Sequence, residues 1–331
     1  MLRLLQRLIA GLNQFWFAEE STLSLGIFRI VLGLLILTIL LISHPNWELF
    51  YGAQGSYPLS EWSQSYGQGL DAAVTSILSW SIDPRWMWTV YGLELVTAVA
   101  FVLGFQSRVS TLLMFFLWAS LFNRNLALVN GQDQIIKMML FFACFAPMGN
   151  SLSLDRWLWQ RRHPEATFPD QQPRWSWRLM QVSIAILYIF AGPAKLNSDI
   201  AWRDGTALYY VSLSDRWYRL FDVDFLHGEL INWLLTYGTI TIQILFPYLV
   251  WFKGIGDLLL AAMTIKHMFM VILLSPYVTY FNLAVLSTFI LFVRPTAWQA
   301  LINGTQQQFL RWFHRMPDPD LAPEISPANQ N

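Results

Sequence analysis

Charge is scarce in this chain. Only 13% of its 331 residues are Asp, Glu, Lys or Arg, against about 25% in an ordinary soluble domain. The formal net charge is zero, so the balance points to neither nucleic acid nor an acidic partner. Cysteine is nearly absent. Cys144, alone in an apolar run, cannot form an internal disulfide, and it reads as a small inert apolar residue. The five histidines (His44, His163, His227, His267 and His314) are scattered, which argues against a multi-histidine metal site. There is no Gly-rich phosphate loop, no GxSxG and no HExxH. Alternating strands of a barrel, an internal repeat, a soluble domain and a cleavable signal peptide are also missing.

What fills the chain is apolar. Hydrophobic residues make up 55%, with 17 Trp and 24 Phe. Stretches near 23–43, 86–104, 109–126, 134–150, 178–196, 230–252, 256–274 and 276–293 are long enough, or nearly so, to cross a bilayer as helix, which takes about 20 residues. The expected fold is an all-α integral membrane protein, a polytopic bundle of about eight transmembrane helices, because lipid leaves no partner for free backbone groups. Residues 1–22 read as an amphipathic segment, with Leu4, Leu5, Leu8, Ile9 and Leu12 beside Arg3 and Arg7. Residues 23–293 form the membrane domain. Residues 294–331 form a cytoplasmic tail, disordered after 316. An amphipathic helix is expected near 206–222, in an outer loop.

Lys and Arg set the orientation. With the N-terminus cytoplasmic, 12 of the 21 fall in inner segments and six in outer ones, leaving Arg29, Lys137 and Lys266 inside spans. The bias puts both termini on the cytoplasmic side, with an even number of crossings.

Ionisable groups inside spans are candidate functional residues, since each costs several kcal/mol unless paired or hydrated. Glu94 is mid-span, about 12 Å below the outer surface at 1.5 Å per residue. Lys266 and His267 lie at a similar depth. Asp133 and Lys137 are spaced i, i+4, and Lys195 and Asp199 end the fifth span. Together they are expected to line one pocket that opens outward. Each also has a structural reading. Glu94 and Lys266 can be a buried pair, and Asp133 with Lys137 a helix-start pair. His267 can be an interhelical hydrogen bonder. Arg29 reads as a residue that snorkels or binds lipid phosphate. Lys195 follows a Gly192-Pro193 break, where a local opening of the helix is expected. It is either a snorkelling amine or a desolvated base.

Several stretches, taken in order, resemble a known family. They are Phe28-Arg29-Ile30 to Gly33-Leu34-Leu35, then Tyr51-Gly52 with Gly55 and Pro58. Leu103-Gly104-Phe105 with Arg108 follows, and Arg124-Asn125 with Gly131 and Asp133. Next come Pro147, Gly149 and Ser153-Leu154-Asp155-Arg156. Ala191-Gly192 precedes Lys195-Leu196, Trp202 and Gly205, and His267 heads a run to Pro276. This order resembles the horizontally transferred transmembrane family, the bacterial relatives of the vitamin K-dependent gamma-glutamyl carboxylase. On that likeness the expected setting is a bacterial plasma membrane or internal bacterial membrane.

The resemblance implies an outward-facing site in which Lys195 deprotonates a vitamin K-like quinol that then takes up oxygen and forms an epoxide. His267 matches a family histidine. Three departures stand out. A short inner tail replaces the carboxylase's large outer domain, Asn130-Gly131-Gln132-Asp133 replaces a histidine, and Asp199 and Trp202 are separated. Two functions follow as expectations. One is a quinol-binding oxidoreductase or epoxidase with catalytic Lys195 and His267, in which Glu94, Asp133, Lys137, Asp199 and Lys266 line the binding site. The other is a non-catalytic assembly factor or lipid-binding subunit. The expected partners are the lipid bilayer and a small quinone-like ligand, with no metal and no nucleic acid.

Overall fold

A computed structural model describes residues 2–66, 75–213, 224–273 and 278–313. Side chains of Leu2, Tyr66 and residues 306–313 are outside that description. So are the tail after 316 and most of the expected 206–222 helix. In chain order the helices are α1 (Leu2–Phe17), α2 (Leu23–Ser43), α3 (Trp47–Tyr51), α4 (Leu59–Tyr66), α5 (Pro84–Leu103) and α6 (Ser107–Arg124). They continue with α7 (Gly131–Ala143), α8 (Leu154–Arg162), α9 (Trp175–Ser198), α10 (Ile200–Asp204) and α11 (Ala207–Leu213). The last are α12 (Glu229–Leu249), α13 (Ile255–Leu273), α14 (Thr279–Phe289) and α15 (Pro295–Phe313).

Eight of these helices carry the main packing of a bundle. One half is α2, α5, α6 and α7; the other is α9, α12, α13 and α14. The halves meet where α14 packs on α2 and α7, and α9 on α7. Five segments are long and apolar enough to cross a membrane: Leu23–Tyr51, Pro84–Leu103, Trp175–Ser198, Glu229–Leu249 and Ile255–Leu273. The count is up to six if the pair Thr279–Phe292 and Pro295–Thr305, bent by 100°, is one span. Seven of α7's expected residues instead form turns over 144–150. Pro147 cannot donate a helical bond, and Gly149 follows it.

One end of the bundle is tied by polar contacts. Two three-residue strands, β1 (Glu19–Ser21) and β2 (Gln171–Pro173), pair antiparallel. Arg174 donates to the Gln14 carbonyl at 2.9 Å and the Phe15 carbonyl at 3.2 Å. Asp155 accepts from the backbone amides of Gln106 at 2.8 Å and Ser107 at 2.7 Å, capping α6. Arg294 pairs with Asp257 at 3.1 Å. The N-terminal segment, the 104–107 turn, residues 148–178, the α12–α13 turn and the start of α15 therefore share one end.

Arg29 overturns one expectation. It is fully buried and does not snorkel. Its guanidinium donates to the carbonyls of Met148, of Ser151 at 3.2 Å and of Leu152 at 2.5 Å. Turn carbonyls with no helical donor are a natural seat for a guanidinium, which carries five N–H donors. Gly104 makes room: it has φ +63°, and a Cβ there would come 2.7 Å from Arg29 Cζ. The expected opening at Pro193 is absent, since α9 runs through it. Ile244 of α12 packs so closely that a Cβ on Gly192 would lie 2.7 Å from its Cγ1. Here the glycine serves helix–helix approach.

At the opposite end, Arg124 and Asn125 organise the loop that follows α3. Arg124 donates to the carbonyls of Tyr57 at 2.9 Å and Gly52 at 2.7 Å. Asn125 Nδ2 donates to the Phe50 carbonyl at 2.8 Å and Ser56 Oγ at 3.1 Å.

Candidate functional site

His267 is the centre of the polar cluster in the second half of the bundle. It faces inward from α13 and is 1% exposed. Asn282 Nδ2 donates to the Val278 carbonyl at 2.7 Å, which turns its Oδ1 toward His267. His267 Nδ1 lies 2.6 Å from that oxygen and so carries the proton. Its Nε2 is then an acceptor, and the Tyr188 hydroxyl of α9 donates to it at 2.8 Å. Lys266 Nζ stands 3.3 Å from the same nitrogen. Phe246 and Phe289 pack their rings on this group.

Lys195 sits two turns further out on the Tyr188 face of α9, a rise of about 10 Å. It is half-buried. Its Nζ donates to the Ala191 carbonyl at 3.3 Å and lies 5.4 Å from the Trp202 ring. Lys195 thus shares a helix face with Tyr188, the hydroxyl donor to His267. Among the described residues, none of Lys195, Lys266 and His267 makes an ion pair.

The other candidates lie elsewhere, and two expected pairs do not form. Glu94 does not meet Lys266. It is fully buried in the first half of the bundle, and both carboxyl oxygens lack a hydrogen-bond partner among the described residues. Equal depth fixes height along the bundle but not position around it. Asp133 does not pair with Lys137. Its Oδ2 accepts from the Asn130 amide at 2.8 Å in a capping box at the start of α7. Lys137 Nζ lies 3.1 Å from the centre of the Phe122 ring. Asp199 accepts from the Ala201 amide at 3.0 Å and caps α10. Instead of one pocket, the structure forms a basic cluster around Lys195, Lys266 and His267 and a separate carboxyl region around Glu94 and Asp133. A cup beside Asp133 is lined by Trp47, Tyr51, Trp118 and Asn125 among others.

Sequence reasoning missed Tyr188 and Asn282. Tyr188 was legible from its seven-residue spacing to Lys195, which puts both on one helix face. Asn282 was legible as a lone amide in an apolar run.

These features define a polytopic helical membrane protein with buried polar clusters in each half. A family model for the HTTM domain matches residues 17–298, and the chain belongs to that family, a vitamin K carboxylase-like family of membrane proteins. No solved structure matches the chain.

Proposed function

We propose that the protein is a quinol-binding membrane oxidoreductase in which Lys195 is the base. The observation that carries this reading is the basic cluster: two lysines and a tautomer-fixed histidine in an apolar, aromatic surround, with no carboxylate paired to them among the described residues. Such a donor set fits a phenolic ligand. Two cationic groups in one apolar neighbourhood leave an amine free to take a proton. In the step proposed, a quinol O–H bond breaks, the proton passes to Lys195 Nζ and the electron pair stays on oxygen. Lys266 then faces the phenolate charge, while Asn282 and Tyr188 hold His267 in place. The electrons next need an external acceptor, and the family likeness favours molecular oxygen. The Lys and Arg bias supports both termini cytoplasmic and the Lys195 end outside, and the family likeness favours a bacterial membrane.

A second reading, a lipid-binding or assembly subunit without catalysis, is favoured by the posture of Lys195. An amine bonded back to its own helix and close to a Trp ring also suits the headgroup layer. Quinol-dependent oxygen uptake by protein in liposomes separates the two. Lys195→Arg should abolish uptake with the helical content unchanged, because guanidinium does not act as a base near neutral pH. Full uptake by the Arg variant would overturn the catalytic reading.

A further inference from the structure

The basic cluster leaves unused the buried carboxyl in the other half of the bundle. Glu94 lies on α5, which packs on α2 and α6, with no exposed surface and no partner for either oxygen among the described residues. An isolated carboxylate so placed would be prohibitively costly, and such a group takes up a proton instead.

The surroundings have a direction. One turn outward on α5 is Tyr91, whose hydroxyl donates to the Leu40 carbonyl at 3.3 Å. Trp47 packs between Tyr91 and Tyr51, with ring centres 4.6 and 4.4 Å away. Tyr51 and Asp133 line the same cup at that end.

Above them lies the cup at the outer end, a cavity of about 40 Å³, against the 10–15 Å³ or so that one water needs. Two of its lining side chains, each 1% exposed, carry polar atoms without a partner among the described residues: Trp47 Nε1, a donor, and Asn125 Oδ1, an acceptor. Asn125's amide orientation is fixed by its two Nδ2 bonds, so the oxygen is the free atom. A donor, acceptors, the Ser43 and Tyr51 hydroxyls and the Asp133 carboxylate around one small cavity suit water, not a larger ligand.

We propose that Glu94 is a proton-binding site loaded from the outer end of the bundle, through hydrated contacts that pass Asp133 and Tyr51. The other charged group nearby on α7 is Lys137, held on the Phe122 ring. α2 between Arg29 and His44, and α6 between Arg108 and Arg124, carry no ionisable side chain. The transfer is an acid–base exchange alone and needs no oxidant. It stands independently of the quinol reading.

Infrared difference spectroscopy on the full chain in liposomes tests it, with no substrate present. The wild type should show the carbonyl band of a protonated carboxylic acid that shifts promptly in heavy water. Glu94→Gln should lose the band. Should that variant not fold, Glu94→Asp should move it. Tyr51→Phe or Asp133→Asn should slow the heavy-water shift while leaving the band in place. Absence of the band, a band that does not exchange, or exchange unchanged in both route variants would overturn the proposal.

Discussion

Arg29 is the residue whose environment departs furthest from its sequence context. On a helix wheel it is one cation near the end of an apolar span, the pattern of a lipid-facing snorkel. Its placement is decided by the turn after α7, over a hundred residues later, whose carbonyls have no helical donor. Replacing Arg29 with Met would keep the bulk and remove the donors. An unsatisfied buried carbonyl costs about 1–3 kcal/mol, and the change takes the donor from two, those of Met148 and Ser151. Thermal unfolding in detergent should show a clearly lowered midpoint for Arg29→Met. An unchanged midpoint would mean that the guanidinium faces lipid. Asp133 and Lys137 teach a related lesson. Their i, i+4 spacing makes contact available, but an orphan amide at the helix start claims the carboxylate and an aromatic ring claims the amine.

At the scale of elements, the spans were the legible part. A bilayer forces backbone groups into helix and sets a length, so the apolar runs at 23–43, 178–196 and 256–274 map closely onto α2, α9 and α13. The fourth run was not legible as drawn. Its last residues are apolar, yet they turn around Pro147 and Gly149 to receive Arg29. Height along the bundle could be read from residue counts, but the angular position of each helix could not. Glu94 and Lys266 therefore looked like partners and belong to different halves.

The turn between α5 and α6 gives an element-scale prediction. Gly104 and Gly254 both have left-handed φ, +63° and +84°. Gly104 is walled in by Arg29 and Ser153, whereas nothing lies within 4 Å of a Cβ at Gly254. Ala at either position meets backbone strain of about 1–2 kcal/mol, but only Gly104→Ala also displaces the guanidinium. Unfolding midpoints should fall more for Gly104→Ala than for Gly254→Ala. Equal losses would contradict the packing around Arg29.

Over the whole molecule, the tied end joins the amphipathic α1, the 151–177 loop and α15, which turns 100° away from the last bundle helix. The Lys and Arg bias predicts that this end is cytoplasmic. In a Cys144→Ala background, Arg161→Cys should react in intact cells only with a membrane-permeant thiol reagent. Ready reaction with an impermeant one would invert the orientation. That would place Lys195 and the Glu94 cup toward the cytoplasm.

The quinol reading rests on Lys195 holding a phenolic ligand beside Lys266 and His267. Mass spectrometry of small molecules that copurify with the protein from a quinone-containing membrane addresses this without an assay of turnover. Wild-type protein should carry quinone or quinol in near-stoichiometric amount, and Lys195→Ala should lose most of it while keeping its helical content. Phospholipid alone in both preparations, or equal quinone in both, would contradict the account.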